Sequence, residues 1–540
     1  MKDISSTASF VDFTLENFIY VDKTEYIPKL VKLKRVFISR PRRFGKSLTL
    51  DTIGTLFEKG VEPYFKDTWI YDKWTEPTYP VFRLSFLNLD NSSLDLFKKQ
   101  LNSIISEFAN KINVKGYVEK TEPEDSILCL LEKLEEETRQ IVILIDEYDY
   151  QLTSNINNDA LYKQFQQKIK RFYANIKDKF AIKFLGITGV TRLKDVEIFS
   201  IGSDINDITN DSVYSQMIGF TRDEIKRYYI DYLKLAASYE NKCRVEEVTD
   251  TQIESMLDMM AQNYDGYCFD EFYKKKVFST WSVNKFFQSV VSNKFVYFGE
   301  YWYDNGGLPS ILVNYLKTHE LNIFEYLDKD KFLKVSSDDF KNPTALTTIN
   351  QNVLMCQTGY LTLRSDLNKT STVALGIPNG EIYKALNRLL ANNIFKGNTD
   401  ITDDYGRSLL EVGTVDDIIN LFNSALNSVS YDNYPIVSES SVQNMLKLYL
   451  LGAHQKVLSE VHEAKGRADL VVNTDNRRIV FEFKYAKNET EAKSKLLDAV
   501  EQIKTRDYGN IVPKKTELLR IAAVFNADPK VRAFTEYQQV

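Results

Sequence analysis

The most constraining feature of the sequence is a short apolar segment that leads through a basic turn into a helix. Val36 to Ser39 is typical of a buried strand, and the apolar residues from Leu48 to Leu56 are spaced as one helix face. Between them lies the run Arg40-Pro41-Arg42-Arg43-Phe44-Gly45-Lys46-Ser47. A strand, a loop ending in Gly-Lys-Ser and a helix start form the setting in which backbone N–H groups and a helix N-terminus bind phosphate.

This loop is predicted to bind a nucleotide. Lys46 would reach the β- and γ-phosphate oxygens, and the Ser47 hydroxyl would ligate Mg²⁺. The other residues expected to contact the nucleotide are Arg42, Arg43, Phe44, Gly45 and Leu48. Because Arg40 occupies the place of the usual first glycine, a basic helix start without a ligand is the alternative. For Arg42 and Arg43, contact with a second subunit or a plain surface role is also open.

A second segment supports this interpretation. The aliphatic run from Ile141 to Ile145 is typical of a strand buried on both faces of a parallel sheet, and it ends in Asp146 and Glu147. Asp146 would hold Mg²⁺ through water, and Glu147 would polarise the attacking water as a general base. The alternative is a pair of solvated acids at the end of a core strand.

A third strand, from Ala181 to Ile187, ends in Thr188-Gly189-Val190-Thr191-Arg192. Thr191 would sense the γ-phosphate, and Arg192 would stabilise the charge that develops during phosphoryl transfer. An ordinary turn is the equal alternative for this segment.

The order of segments predicts the organisation of the chain. Strands alternate with helices up to about residue 220, which predicts an α/β domain with a mostly parallel sheet. Residues 221–303 are predicted to be a helical lid, with Ser282 capping a helix that starts at Trp281. Residues 304–435 form a mixed, mainly helical connecting region, and residues 436–540 form a second α/β domain.

The C-terminal domain carries a second group of chemically active residues. Asp469 begins one predicted strand, and Glu482 and Lys484 lie on the next, where alternation places both on one face. If the strands form a hairpin, the two carboxylates and the amine converge. Asp469 and Glu482 would bind Mg²⁺ or Mn²⁺ for phosphodiester hydrolysis, and Lys484 would position the attacking water or neutralise charge.

Further residues are assigned to this site. Glu460 is a candidate additional metal ligand, and Gln502 and Tyr508 would support the site or touch the nucleic-acid backbone. The alternative is a charged, solvent-facing side of a hairpin. We prefer the catalytic interpretation because Glu482 is embedded in Ile-Val-Phe-Glu-Phe-Lys-Tyr, where an idle carboxylate is costly.

The charge distribution is uneven. The chain of 540 residues has a net charge of −6, which excludes a globally basic binder of nucleic acid. From Ser441 to the end there are 17 basic and 13 acidic residues, so this region is +4 and the remainder is −10. The positive balance lies where a phosphodiester substrate would bind, and we expect DNA rather than RNA.

The compartment is predicted from cysteine usage and hydropathy. The four cysteines lie far apart without a CxxC pair, which favours a reducing compartment. The N-terminus lacks a signal peptide, and no apolar run approaches the ~20 residues that span a bilayer. We therefore expect a cytoplasmic protein without a membrane partner, either alone or as a homo-oligomer.

The N-terminal motifs resemble those of an AAA-ATPase-like family found in many bacterial and some archaeal genomes. The matching segments are Tyr20-Val21-Asp22-Lys23-Thr24, the loop Arg40 to Ser47, Leu144 to Asp149, Gly189 to Arg192, Gly219-Phe220-Thr221 and Tyr264 to Tyr267. Arg40 is itself a feature of that family's loop. The resemblance implies an ATP- and Mg²⁺-binding P-loop domain of the AAA/ASCE type, with Walker A and Walker B segments.

The C-terminal motifs resemble the PD-(D/E)XK nuclease domain that is usually fused to this ATPase. The matching segments are Ser459-Glu460-Val461, Gly466 to Asp469, Glu482-Phe483-Lys484 and Glu501 to Lys504. Ala468 departs from the proline of the superfamily name, at a position that shapes the backbone. The resemblance implies a restriction-endonuclease-like α/β fold.

Our leading hypothesis is an ATPase coupled to a Mg²⁺-dependent nuclease, with a role in defence against foreign DNA or in its mobility. The alternative is a nucleotide-dependent switch whose nuclease-like domain binds nucleic acid or a partner without cleaving. A small-molecule kinase is a weaker third interpretation.

Overall fold

We describe the protein from a computed structural model. It describes residues 1–193, 204–302, 310–316, 319, 322–343, 345–395, 405–453, 456–463, 466–508 and 516–540, with the side chains at 310, 405, 456, 459–463 and 466 left out. The chain forms two compact units. The first consists of Met1–His319 and Phe332–Ile382, and the second consists of Glu320–Lys331 and Tyr383–Val540. The four domains predicted from the sequence are a finer division, and their boundaries stay predictions.

The N-terminal region is an α/β domain, as the alternation of strands and helices predicts. Its elements are α1 (Phe10–Leu15), α2 (Ile27–Leu33), β1 (Arg35–Ser39), α3 (Lys46–Lys59), β2 (Val81–Ser85), α4 (Leu94–Lys111), α5 (Pro123–Glu136), β3 (Ile141–Asp146), α6 (Tyr150–Ser154), α7 (Asp159–Ile176), β4 (Ile182–Gly189) and β5 (Asn206–Asp207). The strands form a parallel sheet in the order β2-β3-β4-β1-β5. This confirms the predicted fold class.

The sheet order brings the predicted site residues to one edge. All five residues of β1 are buried, and β3 is buried from Ile141 to Ile145, because helices cover both faces of a parallel sheet. Strand β4 lies between β1 and β3. The loops that follow these three strands therefore meet at the carboxyl edge of the sheet, where ligands bind in open α/β folds.

The next region is helical. It contains α8 (Arg222–Tyr228), α9 (Ile230–Asn241), α10 (Asp250–Tyr264) and α11 (Thr280–Asn293). Helices α8 and α9 are separated at Tyr229, whose backbone leaves the helical conformation. The predicted cap at Ser282 is wrong: Ser279 caps α11, and its hydroxyl accepts a hydrogen bond from the Ser282 N–H.

The connecting region completes the first unit and begins the second. Its elements are α12 (Ser310–Leu316), β6 (Leu333–Ser336), α13 (Ser337–Lys341), α14 (Gln351–Gln357), β7 (Thr362–Leu363), β8 (Thr372–Gly376), α15 (Gly380–Ile394), α16 (Tyr405–Val412) and α17 (Val415–Asn427). Strands β6, β8 and β7 form a small antiparallel sheet. Within the part of the chain that the structure describes, no helix has both the length and the apolarity needed to cross a bilayer.

The C-terminal region forms a second α/β sheet. Its elements are α18 (Glu439–Gly452), β9 (Lys456–Glu463), β10 (Gly466–Asn473), β11 (Arg477–Ala486), α19 (Glu489–Arg506), β12 (Glu517–Asn526) and β13 (Ala533–Gln539). The strand order is β13-β12-β11-β10-β9. The predicted hairpin is β10 and β11, which pair antiparallel, whereas β11 and β12 are parallel and joined through α19.

Candidate functional site

The loop after β1 is shaped for an anion. Arg43 and Gly45 adopt left-handed φ angles of 69° and 103°, which turn the backbone into the start of α3. A Cβ atom built on Gly45 would meet nothing within 4 Å, so the inner side of the turn is open. The first N–H groups of a helix have no partner inside it, and here they begin at Lys46. The loop can therefore offer backbone donors to phosphate.

Lys46 lies buried within this loop. Its Nζ donates to the carbonyl oxygens of Arg40 at 3.0 Å and Pro41 at 3.1 Å. Burial lowers the pKa of Lys46, and the nearby carboxylates Glu147 and Asp146 oppose that shift. The ammonium group is thus held by neutral carbonyls, which phosphate oxygens can replace.

The end of β3 places a carboxylate beside two hydroxyl groups. The Ser47 hydroxyl donates to Asp146 Oδ2 at 2.5 Å, and the Thr188 hydroxyl donates to Asp146 Oδ1. Oxygen ligands of this kind suit a hard divalent cation such as Mg²⁺. The residues present therefore fit the metal that a phosphate loop uses. The sequence did not indicate Thr188: within this segment, Thr191 was the residue predicted to contact the γ-phosphate.

A cavity of about 450 Å³ opens onto the loop. Arg42, Lys46, Leu48 and Glu147 contribute to its wall, and apolar side chains from the N-terminal segment form another part of it. This volume is typical of a site for a small ligand. Glu147 is half-buried and has a φ of 50°; burial raises its pKa, and Lys46 opposes this effect.

Two loop side chains point into the helical region that follows. Arg43 Nη1 donates to the carbonyls of Tyr301 at 2.8 Å and Trp302 at 3.0 Å. Phe44 is buried, with its ring packed edge-on against Tyr267. These two side chains anchor the loop to the helical region. We therefore predict that Arg43 and Phe44 contact a nucleotide only through their backbone groups.

In the C-terminal sheet, Asp469 and Glu482 lie opposite each other on adjacent strands, because Leu470 pairs with Phe481. Asp469 Oδ2 accepts a hydrogen bond of 2.8 Å from the Phe483 N–H. Glu482 is fully buried; its Oε1 accepts from Lys484 Nζ at 2.7 Å. Its Oε2 has no hydrogen-bond partner among the described residues. The predicted trio is therefore brought together.

The electrostatics of this cluster are unusual. Burial and, to a smaller extent, the nearby charge of Asp469 raise the pKa of Glu482 to about 7, although Lys484 opposes both effects. A buried carboxylate oxygen without a partner is costly and needs an explanation. A divalent cation held by Asp469 and Glu482 supplies one. The residues present fit such an ion.

Two family models match the chain, one in each of the regions that contain these residues. Residues 5–199 match the family model described as predicted AAA-ATPase, and residues 437–534 match the PD-(D/E)XK nuclease superfamily. The chain joins an AAA-ATPase-like domain to a PD-(D/E)XK nuclease-superfamily domain. The motifs quoted above from the sequence lie mainly within these two matches.

Individual relatives add little about function. An uncharacterized protein in the vnfD 5′ region of Azotobacter chroococcum mcd 1 is 25% identical over 538 residues, which cover 95% of this chain and 94% of the relative. Among solved structures, Cdc6p from Pyrobaculum aerophilum aligns with 68% of this chain and 93% of its own at 12% identity. Its TM-score is 0.22, so the assignment of the fold rests on the sheet order and the family matches.

The structure does not bring Thr191 and Arg192 to the phosphate loop of the AAA-ATPase-like domain. The buried Thr191 hydroxyl donates to Asp149 Oδ2 at 2.5 Å, and the Thr191 N–H donates to the same atom at 2.6 Å. Arg192 forms an ion pair with Asp207. Neither residue lines the cavity at the loop. Their predicted contact with the γ-phosphate therefore has no support in this arrangement.

We predict that Thr191→Val destabilises the protein without weakening nucleotide binding. It removes a hydroxyl donor from the buried carboxylate of Asp149, and a hydrogen bond to a charged group is worth about 1.5–3 kcal/mol. Denaturant unfolding and binding of a fluorescent ATP analogue measure the two effects. Thr188→Val is the matched control, expected to weaken Mg²⁺-nucleotide binding instead. Normal stability with weakened binding in Thr191→Val would restore Thr191 as a phosphate sensor.

The nuclease-superfamily domain contains a carboxylate that the sequence analysis missed. Glu439 is the first residue of α18, and its Oε1 lies 3.5 Å from Lys484 Nζ. In the sequence, an acid directly after Ser438 is typical of an ordinary helix start. That Glu439 lies beside Lys484 follows only from the packing of α18 against the sheet. Glu460 lies opposite Asp469 in the strand register, but its side chain is outside the described residues. In the described part of the chain, no group of three or more His, Cys, Asp or Glu residues could hold a metal.

Gln502 and Tyr508 are brought together, as expected for supporting residues. Tyr508 is fully buried, and its hydroxyl accepts hydrogen bonds from Gln502 Nε2 at 3.3 Å and Arg506 Nη1 at 2.9 Å. A buried tyrosine cannot lie along a nucleic-acid backbone without rearrangement. Tyr508 is therefore placed to hold other side chains.

Proposed function

We propose that this protein hydrolyses ATP in its N-terminal domain and cleaves nucleic acid in its C-terminal domain, with the nucleotide state controlling cleavage. The observation that supports the nuclease most strongly is Glu482, a buried carboxylate whose Oε2 has no partner among the described residues. It lies beside Asp469 and Lys484 in a sheet matched to the PD-(D/E)XK superfamily. The substrate we propose is DNA, in defence against foreign DNA or in its mobility, which is an analogy from domain pairing.

For ATP hydrolysis, each loop residue has a distinct role. The N–H groups at the start of α3 and the Lys46 ammonium bind the phosphates. Ser47 and Asp146 would hold Mg²⁺, which when bound neutralises charge on the phosphate oxygens. Glu147, at the cavity wall, accepts the proton of the attacking water.

For phosphodiester cleavage, Asp469 and Glu482 would hold Mg²⁺ or Mn²⁺, which when bound makes water a stronger nucleophile. Asp469 is fixed by the Phe483 N–H, so its carboxylate is held in position. Lys484, held 2.7 Å from Glu482, orients the attacking water or offsets the charge that grows on phosphorus.

A specific observation favours a second candidate function. The described carboxylates at the C-terminal site do not form a group of three that could hold a metal, and Lys484 is engaged by Glu482 and Glu439. A domain of this kind could bind nucleic acid without cleaving it. The protein would then be a nucleotide-dependent switch.

One experiment separates these functions. The full chain is incubated with ATP, Mg²⁺ or Mn²⁺ and a panel of DNA and RNA, and both phosphate release and strand scission are followed. Lys46→Ala is expected to lower phosphate release at least about tenfold, because it removes the buried cation at the loop. Asp469→Asn is expected to lower scission at least about tenfold, because it weakens the metal site.

Matched controls are available within each domain. Lys59→Ala removes an exposed lysine from the other end of α3, and Asp475→Asn changes an exposed acid in the turn between β10 and β11. Both should behave as the wild type. Phosphate release without scission by the wild type supports the switch. Equal scission by wild type and Asp469→Asn excludes the proposed catalytic site.

A further inference from the structure

The end of α19 carries a cation that the proposed mechanism does not use. Arg506 is the last residue of this helix and is exposed, whereas Tyr508 is fully buried. The Tyr508 ring packs in one cluster with Ile503 and Ala522. Ala522 pairs with Glu482 across β11 and β12, so the ring lies on the same face of the sheet as the Glu482 side chain.

The turn that follows Arg506 is fixed by several side chains. Asp507 has a left-handed φ of 50° and accepts from Arg520 Nη2 at 2.8 Å. Arg520 Nε also donates to the Tyr508 carbonyl at 2.6 Å. The Tyr508 hydroxyl, shared by Gln502 and Arg506, completes the arrangement. Arg506 is therefore followed by a turn whose backbone and side chains are hydrogen-bonded, and this ordering before binding lowers the entropic cost of using Arg506.

The surroundings of Arg506 match a phosphate group. The hydrogen bond to Tyr508 raises the pKa of Arg506, and the negative charges of Glu482 and Asp469 add a smaller effect in the same direction. Within the described part of the chain Arg506 forms no ion pair with either carboxylate, and its hydrogen bond goes to the Tyr508 hydroxyl. Through Tyr508, Arg506 is held at the face of the sheet that carries Asp469 and Glu482, and a cation there could meet the charged oxygens of a bound phosphodiester.

We propose that Arg506 binds the non-bridging oxygens of the scissile phosphate and that Tyr508 is its positioning residue. The planar guanidinium matches a phosphate through two parallel N–H donors, and one of its nitrogens is already oriented by Tyr508. This proposal rests on the proposed nuclease function. The alternative is that Arg506 only stabilises the C-terminus of α19, an effect to which any cation in the last helical turn contributes.

The test compares Arg506→Ala with Lys504→Ala, which removes another exposed cation from the same helical turn. Binding of a short fluorescein-labelled DNA duplex is measured by anisotropy with Ca²⁺ in place of Mg²⁺, at several salt concentrations. We expect Arg506→Ala to weaken binding by about tenfold and to reduce the salt slope by about one. Lys504→Ala should change affinity by less than about twofold.

Strand scission, measured with Mg²⁺ in the presence and in the absence of ATP, is the second measurement. Arg506→Ala should lower kcat/KM by about a hundredfold. Arg506→Lys should show a smaller loss, because lysine keeps the positive charge but lacks the two parallel N–H donors of arginine. Tyr508→Phe keeps the buried ring and releases the arginine, so it should lower kcat more than it raises KM. Thermal unfolding of each variant should stay close to that of the wild type.

The outcomes are distinguishable. If the wild type cleaves and Arg506→Ala cleaves equally well, the assignment of Arg506 is wrong and the nuclease stands. If the wild type binds the duplex without cleaving it with or without ATP, the nuclease is wrong and so is the contact with a scissile phosphate; the anisotropy comparison then decides only whether Arg506 contacts a DNA phosphate. Equal losses in Arg506→Ala and Lys504→Ala, or no binding by the wild type, overturn the proposed phosphate contact.

Discussion

Glu147→Gln is expected to slow ATP hydrolysis by about 10²–10⁴-fold, the range that a general base contributes, while ATP binding stays nearly unchanged. Glu147 follows β3 and contributes to the cavity wall at the phosphate loop. Burial raises its pKa, which makes the carboxylate a better proton acceptor, and Lys46 helps to keep it ionised. Glutamine has the same size but cannot accept the proton.

Phosphate release at saturating Mg²⁺-ATP measures this effect, and a fluorescent ATP analogue measures binding. Glu136→Gln, which changes an exposed acid at the end of α5, is the control and should hydrolyse ATP as the wild type does. Unchanged hydrolysis in Glu147→Gln would assign the base to another residue. Loss of binding would show that Glu147 supports the loop, since its φ of 50° lies at the turn after the strand.

The parts of the ATP site that could be predicted are local in the sequence. The strand, the Gly-Lys-Ser turn and α3 follow one another within about two dozen residues, and Asp146 and Glu147 directly end a buried strand. The choice between Thr188 and Thr191 could not be predicted, because it depends on where β4 ends beside its neighbours. Thr188 is still within β4, whereas Thr191 lies beyond it and is bound by Asp149.

Long-range contacts account for the other differences in this domain. A basic residue close to Gly-Lys-Ser is typical of a phosphate ligand, and the sequence predicts that role for Arg43. In the structure, Arg43 instead donates to the carbonyls of Tyr301 and Trp302, more than 250 residues further along the chain. No pattern within the loop encodes that contact. The same holds for Ser282, which looks like a helix cap until Ser279 is seen to perform that role.

The C-terminal site was predictable where alternation decides it. Period-two spacing and the turn between the strands placed Asp469, Glu482 and Lys484 together, and the register of β10 and β11 agrees. The approach of Glu439 and the burial of Tyr508 were not predictable. Both depend on how α18 and α19 pack against the sheet, which the spacing of residues within each helix does not define.

The second large effect concerns stability and pH. Glu381, near the start of α15, is buried in the first unit and has no place in the proposed chemistry. Its Oε2 accepts from the Ser282 hydroxyl at 2.7 Å, and its Oε1 accepts from the Trp302 N–H at 2.8 Å. Burial nevertheless raises the pKa of Glu381 to about 8, since these two donors offset only part of the desolvation.

The sign of the effect follows from proton uptake. Between an ordinary glutamate pKa of 4.5 and about 8, the folded protein holds a proton at Glu381 that the unfolded chain has lost. The free energy of unfolding therefore falls as pH rises through this window. The full difference corresponds to about 5 kcal/mol, reached above the folded-state pKa.

Glu381→Gln should remove most of this dependence, because an amide stays neutral: its oxygen can accept from the Trp302 N–H, and its NH₂ group can donate to the Ser282 hydroxyl oxygen. Denaturant unfolding of the full chain at about pH 6 and about pH 9 tests it: the wild type should lose about 3 kcal/mol relative to Glu381→Gln at the higher pH, since about two pH units lie between pH 6 and the folded-state pKa. Glu240→Gln, an exposed acid in α9, should follow the wild type. If the wild type, Glu381→Gln and Glu240→Gln lose the same free energy of unfolding between the two pH values, Glu381 is ionised at both. Its two hydrogen-bond donors would then be sufficient to hold a buried charge beside Trp302, whose carbonyl oxygen accepts from Arg43 of the phosphate loop.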